Sequence, residues 1–115
     1  PGSGTAFEEL ARRHGDYAMC GVAAVVSLDA DRAVTSARAG LISVGPGPVV
    51  VDLGPAVSGS DFDTGRVHEL LDEVIEPEDD IHATAAYRRH LAHVLSERAL
   101  HQARDAALAG DRRAA

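Results

Sequence analysis

The most regular hydrophobic pattern in the chain lies between residues 63 and 75. Apolar side chains recur there at the spacing i, i+3, i+4, i+7 and i+8, at Val67, Leu70, Leu71, Val74 and Ile75. On a helix this spacing gives one continuous apolar stripe. The pattern predicts a helix from about Asp63 to Ile75, and Pro77 is expected to end it because proline cannot continue the hydrogen-bond ladder.

A second helical stripe follows an acidic run. Its apolar residues are Tyr87, Leu91, Val94 and Leu95, with Leu100 and Ala103 beyond them and a stop near Gly110. Either Asp80 or Thr84 is suited to cap the first turn, because both side chains accept hydrogen bonds from backbone amides. We expect Arg88 and Arg89 to pair with the acidic residues at 78–80; the alternative is that residues 87–90 dock on a partner subunit.

A shorter helix is predicted near the start of the chain. Thr5 and Glu8 have the spacing of a capping box, in which each side chain bonds the backbone amide of the other residue. The apolar face would consist of Phe7, Leu10, Ala11 and His14. Gly15 then suits the position just after a helix, so we expect this helix to run from about Thr5 to His14.

Two strands are expected after this helix. The run from Met19 to Leu28 is rich in β-branched and small residues, which predicts a strand covered on both faces. Residues Asp29 to Arg32 suit a hairpin turn, and the return strand is expected from about Val34 to Val44. Gly40 inside that strand indicates a bulge or a close backbone approach.

The remaining connections complete the predicted fold. Residues 45–48 are predicted to form a Gly–Pro turn before a third strand at 49–51, and residues 54–60 are predicted to form a loop. Connections this short join antiparallel neighbours. Because strands and helices do not alternate, we predict an α+β fold with a three-stranded antiparallel sheet packed against about three helices.

Composition and charge narrow the class of protein. The 115 residues are 45% hydrophobic and fit a single domain over residues 1–115. The opening residues Pro1 to Gly4 resemble a linker, so we expect a fragment of a larger protein. A formal charge of −7 argues against nucleic acid or anionic lipid as a partner, and no apolar stretch reaches the roughly 18 residues that membrane insertion of a helix needs. The single cysteine, Cys20, fits a reducing compartment, so the expected location is cytoplasmic.

The sequence lacks the residue patterns that are typical of a catalytic site. It has no nucleophile elbow, phosphate-binding loop or Cys-x-x-Cys pair, and we expect no catalytic residue. His90, His93 and Glu97 lie at helical spacing and offer potential metal ligands, but no fourth ligand is evident. We therefore predict a solvated or subunit-facing surface and no metal site. Cys20 is expected to be a buried, inert thiol.

Three segments carry a family resemblance. They read FEELARRHGDYAMCGVA at residues 7–23, VGPGPV at 44–49 and DIHATAAYRRHLAHVL at 80–95. Together they resemble the flavin-binding medium subunits of the molybdenum hydroxylases, the group that includes the carbon monoxide and xanthine dehydrogenases. The segments occur in the order of that family and at about its spacing. We call them the first, second and third family segments.

The resemblance implies the C-terminal domain of such a subunit, with a three-stranded antiparallel sheet backed by helices. In the parent oxidoreductase, electrons would pass from a molybdenum cofactor through 2Fe–2S clusters to FAD. The implied partners are an upstream FAD-binding domain, an iron–sulfur small subunit and a molybdenum large subunit. Without the flavin domain, the isolated chain is expected neither to retain FAD nor to be active.

The resemblance also implies a cofactor-binding turn formed by Gly15, Asp16 and Tyr17. In the family, the aromatic residue of this turn lies against the flavin ring, and Tyr17 matches it. A stacked aromatic face would shield the isoalloxazine from solvent. The alternative is a half-buried core tyrosine. Arg12 and Arg13, beside the turn, either meet the flavin domain or complement the helix dipole.

The sequence departs from the family pattern at several positions. Val50 replaces a usual arginine, and Ala86 replaces a usual glutamate. Gly54 and Pro55 stand where the family has a short helix, so a helix around Pro55 is not expected. These differences put the subunit contacts in question more than the flavin contact. A second hypothesis, from another class, is a free-standing interaction or small-ligand-binding domain of the same fold.

Overall fold

The computed structural model describes residues 3–11, 18–42, 47–77 and 84–114. Its main element is a four-stranded antiparallel sheet in chain order, formed by β1 Ser3–Ala11, β2 Ala18–Leu28, β3 Val34–Ile42 and β4 Val49–Asp52. The later elements are a 3₁₀ turn Gly54–Ala56, the small hairpin β5 Val57–Ser58 and β6 Asp61–Phe62, and the helices α1 Thr64–Asp72 and α2 Ala85–Ala114. The α+β class is confirmed; among the described residues the main sheet has four strands instead of the predicted three, a second two-stranded sheet is present, and there are two α-helices instead of about three.

The predicted helix from Thr5 to His14 is wrong, because residues 3–11 form the edge strand β1. On a strand, Thr5 and Glu8 point to opposite faces and cannot cap one another. The Glu8 carboxylate instead accepts a hydrogen bond from Gln102 Nε2 in α2, at 2.6 Å. Ladder pairing with β2 satisfies the backbone of this segment, and this tertiary pairing outweighs the local helical signals.

Helix α2 covers one face of the sheet, and the core lies between them. The buried stripe of α2 consists mostly of small residues, namely Leu91, Ala92, Leu95, Ser96, Ala99, Leu100, Ala103 and Ala107. These small side chains let the helix backbone approach the sheet closely. Tyr87 is exposed, so its predicted place on the stripe is wrong, and Arg88 is buried instead. The helix also continues past the predicted stop near Gly110.

Strand β2 is buried on one face only, so the prediction of burial on both faces is wrong. Its core-facing residues alternate with exposed Ala23 and Val25, as in antiparallel sheets with one solvated face. Gly40 pairs with Ala23 in regular register, and a Cβ at Gly40 would meet nothing within 4 Å. The bulge or close approach predicted at Gly40 is therefore also wrong.

The hairpin turn predicted at residues 29–32 is confirmed. Asp29 Oδ1 accepts hydrogen bonds from the backbone amides of Asp31 (2.8 Å) and Ala33 (3.0 Å). Arg32 adopts a left-handed φ of 67°. An aspartate that bonds the backbone ahead of it is a common way to fix such a turn, so this local prediction needed no tertiary information.

Both helices begin at side-chain caps. Asp63 Oδ1 accepts from the Arg66 amide at the start of α1, and Thr84 Oγ1 accepts from the Tyr87 amide at the start of α2. Of the two candidate caps for α2, Thr84 is therefore the one observed, and Asp80 lies outside the described residues. No helix in the described ranges is both long enough and apolar enough to cross a membrane.

The predicted stripe of α1 is largely confirmed. Val67, Leu70 and Leu71 are buried, whereas Val74 is 39% exposed. The helix ends at Asp72, before Pro77 is reached.

A short helix forms at Pro55, contrary to the sequence expectation. Residues 54–56 make one 3₁₀ turn with Pro55 near its start, where the missing amide of proline costs no helical hydrogen bond. The predicted loop at 54–60 also contains β5, which pairs with β6. The carbonyl oxygen of Gly59, in the turn of this hairpin, accepts a hydrogen bond from the amide of Val34 at 2.9 Å.

Candidate functional site at the loop end of the sheet

Two of the three family segments contain connections that leave the sheet at the same edge. Residues 12–17 join Ala11 to Ala18, and these two residues are ladder partners in β1 and β2. Residues 43–48 join Ile42 in β3 to Val49 in β4, at the same edge in the register. We call this edge, which is formed by the ends of the strands and not by an outer strand, the loop end of the sheet. The other ends of the strands form the opposite edge.

The third family segment reaches the loop end through α2. Arg88, in the first turn of α2, is close enough to Cys20 to act on its pKa by charge, and Cys20 pairs with Leu10 near the loop end. Farther along α2, the Leu108 carbonyl accepts from Arg32 Nη2 at 3.5 Å, at the opposite edge. Helix α2 therefore runs from the loop end to the opposite edge, so each of the three family segments has described residues near the loop end.

Cys20 and Arg88 are buried at the loop end. Cys20 is fully buried, and Arg88 is only 8% exposed. Burial raises the pKa of the Cys20 thiol to about 11, although the Arg88 guanidinium acts in the opposite direction. The thiol is therefore protonated at neutral pH and a poor nucleophile. The predicted burial of Cys20 is confirmed, and its inertness stays a prediction.

The predicted partners of Arg88 and Arg89 at 78–80 fall on residues that the structure does not describe, so that pairing stays a prediction. Arg89 pairs with Asp72 of α1, with Nη1 at 2.8 Å from Oδ1. Arg88 is part of the buried stripe of α2. Its position three and four residues before Leu91 and Ala92 was the available signal, because residues at that spacing share a helix face.

Gly15, Asp16 and Tyr17 lie outside the described residues, as do Arg12 and Arg13. The flavin contact implied by the family resemblance therefore stays a prediction. The structure gives the positions of Ala11 and Ala18, the described residues on either side of this segment, and both lie at the loop end.

A polar cluster links α1 to α2. The imidazole rings of His68 and His93 stack with their centroids 4.1 Å apart and their planes at 9°. The Asp72 carboxylate bonds His93 Nε2 at 2.8 Å, and the Glu97 carboxylate bonds His68 Nε2. Each histidine is thus matched with a carboxylate on the other helix.

The candidate metal ligands His90, His93 and Glu97 do not form a common site. His90 is exposed, whereas His93 and Glu97 bond to partners on α1. Within the described ranges, no three His, Cys, Asp or Glu side chains are close enough to hold a metal ion. His68 was not among the predicted site residues, because its contacts with α2 depend on the packing of α1.

The polar cluster is expected to make the fold sensitive to acid. Burial opposes ionisation of Asp72, but hydrogen bonds from His93 and Arg89 outweigh it and hold the pKa of Asp72 below its usual value. Ionised Asp72 therefore stabilises the fold above its unfolded pKa of about 4, and this contribution is lost as pH falls through the lower folded pKa. Because Asp72 is 42% exposed, the effect is expected to be at most about 1 kcal/mol.

This expectation can be measured by urea unfolding between pH 3 and pH 7. Asp72→Asn should lower stability at pH 7 and reduce the loss of stability between pH 5 and pH 3. Asp31→Asn is a suitable control, because Asp31 is exposed in a turn. An unchanged pH dependence in Asp72→Asn would show that other groups cause the acid sensitivity.

The fold defines an α+β domain in which a long helix covers one face of an antiparallel sheet. A sequence profile described as the CO dehydrogenase flavoprotein C-terminal domain matches residues 5–103. The chain belongs to this family, which confirms the resemblance carried by the three segments.

Named relatives agree with this assignment. The chain is 36% identical over 109 residues to caffeine dehydrogenase subunit beta from Pseudomonas sp. (strain CBB1), covering 89% of this chain and 36% of that protein. It is 31% identical over 107 residues to the carbon monoxide dehydrogenase medium chain from Afipia carboxidovorans, covering 90% and 37%. A structure of reconstituted CO dehydrogenase from Oligotropha carboxidovorans superimposes with a TM-score of 0.76 at 28% identity, over 90% of this chain and 37% of that chain.

The chain thus spans little more than a third of the length of these relatives. The shared region includes most of the sheet and most of α2. The relatives named here act on caffeine and carbon monoxide, so similarity in this region does not indicate the substrate.

Proposed function

We propose that this chain is the C-terminal domain of the FAD-binding medium subunit of a molybdenum hydroxylase, and that its loop end covers the flavin. The supporting observation is that each of the three family segments has described residues near the loop end. They are far apart in the sequence, but β1, β2, β3, β4 and α2 bring them to one edge. A contact with one cofactor or one neighbouring domain requires such a shared surface.

The described residues fit a surface that covers the flavin better than a site that binds the phosphates of FAD. A surface pocket of the described region lies at the opposite edge, lined by Asp31, Arg32, Ala33, Gly59, Ser60 and Leu108. FAD, when bound in the subunit, supplies the two-electron redox chemistry. From this chain, Gly15, Asp16 and Tyr17 would contact the cofactor, with the Tyr17 ring excluding water from the isoalloxazine face.

The same proposal gives the domain a role in assembly. Relatives are named as a subunit and as a medium chain of dehydrogenases, which implies multi-chain enzymes. We infer three partners: an FAD-binding domain earlier in the same subunit, an iron–sulfur small subunit and a molybdenum large subunit. Electrons would pass from the molybdenum cofactor through 2Fe–2S clusters to FAD. We place the enzyme in the cytoplasm, where the buried thiol of Cys20 is in a reducing compartment.

FAD retention tests this proposal. The isolated 115-residue chain is expected to emerge from gel filtration without flavin absorbance after incubation with FAD. The complete subunit that contains it is expected to retain FAD through the same column. Equal retention by the two proteins, or a complete subunit without flavin, would contradict the proposal and favour a free-standing ligand-binding domain.

The contact of Tyr17 is tested by substitution in the complete subunit. Tyr17→Ala is expected to shift the flavin absorption bands and to weaken FAD binding roughly fivefold, because an aromatic stacking contact contributes about 1 kcal/mol. Tyr17→Phe keeps the ring and should retain both properties. Asp31→Ala is the control, because Asp31 is exposed at the opposite edge of the sheet, away from the loop end. Unchanged spectra and affinity in Tyr17→Ala would remove the proposed contact.

A further inference from the structure

The face of the sheet opposite α2 carries a continuous apolar row. Phe7 pairs with Ala23, Ala23 with Gly40, and Gly40 with Val50. Because ladder partners point to the same face, this row crosses all four strands. Phe7 is 56% exposed and Val50 is 73% exposed.

Two neighbouring positions extend this row into a patch. Val25 lies two residues beyond Ala23 on the same face, and Ile42 pairs with Gly21. A Cβ at Gly21 would lie 2.8 Å from Ile42 Cγ1 and 3.6 Å from Phe7 Cζ. The side chains of Phe7 and Ile42 therefore approach one another above Gly21. We call Phe7, Val25, Ile42 and Val50 the outer patch.

The outer patch concentrates the exposed apolar surface of the molecule. Within the described ranges, six large hydrophobic side chains are exposed, and four of them form this patch. Its area is on the order of 300 Å², which is enough to mark an interaction site. Exposed apolar residues scattered over a surface would need no such explanation.

The area of the outer patch and the net charge of the chain decide which molecule is expected to cover the patch. A stable complex between separate proteins buries about 800 Å² on each partner, more than the outer patch supplies. Two copies of this chain would also bring together two molecules with a formal charge of −7 each. A covalently attached domain needs less area, because the linkage gives a high effective concentration. Contacts between domains of one chain bury roughly 600–1,500 Å² over both sides.

The relatives supply such an attached domain. The family is by name a C-terminal domain, and the named relatives are almost three times as long as the part they share with this chain. Most of the length of each relative therefore precedes the shared region. The family match begins at Thr5, so the preceding part of a relative joins the domain at β1, the strand that carries Phe7.

We propose that the outer patch is the docking surface for the preceding domain of the same subunit, which covers it with apolar side chains. This inference rests on the proposed function, because it requires the chain to be part of a longer subunit. It adds a second contact surface on the outer face of the sheet, distinct from the flavin contact at the loop end.

Cysteine labelling tests the docking surface. Cys20 is the only cysteine of the chain and is fully buried, so Val50→Cys introduces one accessible thiol. In the isolated chain, Cys at position 50 should react rapidly with a maleimide. In the complete subunit without partner subunits, a docked state favoured tenfold should slow labelling by roughly the same factor. Ala106→Cys is the control, on the exposed side of α2, and should label at similar rates in both proteins.

Each outcome of the labelling experiment either supports or overturns the proposed docking surface. Mass spectrometry of the peptide that contains position 50 identifies the labelled site. Equal labelling of position 50 in both proteins would overturn the proposal, as would protection that appears only with partner subunits. Concentration-dependent protection in the isolated chain would assign the patch to a second copy and would also overturn it. Flavin content is measured on the same preparation of the complete subunit, so failure of the flavin proposal is detected separately from failure of the docking proposal.

Discussion

Gly4→Ala is expected to destabilise the domain by about 3 kcal/mol, because there is no space for a methyl group between β1 and α2. A Cβ at this position would lie 2.1 Å from the Ala103 carbonyl oxygen and 2.5 Å from the Ala107 amide nitrogen. Both atoms belong to the helix backbone, so a rotamer change cannot relieve the contact. The edge strand and the helix would have to separate.

The change is measured by urea unfolding followed by far-ultraviolet circular dichroism, since the chain has no tryptophan. For a domain of this size, the loss corresponds to a melting temperature lower by roughly 15 °C. Gly40→Ala is the matched control, because a Cβ at Gly40 meets nothing within 4 Å. That variant should be neutral or slightly more stable, since glycine is unfavourable inside a strand. Equal stability of the two variants would show that β1 does not pack closely on α2.

Leu100→Ala is expected to cost about 3 kcal/mol, through lost apolar burial and the cavity left behind. Leu100 is 1% exposed and is among the largest fully buried side chains. Its neighbours on the α2 stripe are mostly alanines, so few long side chains on that helix are available to fill the space. The measurement is the same denaturant titration, with the slope checked for two-state behaviour.

Ser96→Ala provides a control on the same buried face of α2. Ser96 is fully buried, and its hydroxyl has no hydrogen-bond partner among the described residues. Removing a buried, unbonded hydroxyl is expected to leave stability unchanged or raise it by about 1 kcal/mol. If Ser96→Ala and Leu100→Ala were equally destabilising, the loss of stability would not be due to the cavity. It would then follow from any substitution on the buried face of α2.

The sequence predicted those elements whose signals are local. The buried stripe of α1 could be identified from spacing alone, because a helix brings together residues three and four apart whatever surrounds it. The turn at Asp29 is similar, since its side chain bonds the backbone two and four residues ahead. For the site, the three family segments identified the family, but their shared place near the loop end could not be inferred from their separate positions.

By itself, the sequence determined the α+β class, the buried stripe of α1 and the family to which the chain belongs. Only the tertiary structure decided that residues 3–11 form a strand, that Arg88 is buried beside Cys20, and that the outer patch is continuous. The physical reason is the same in each case. The atoms that stabilise β1 belong to β2 and to the far end of α2, and contacts between such distant segments leave no periodic pattern in the sequence.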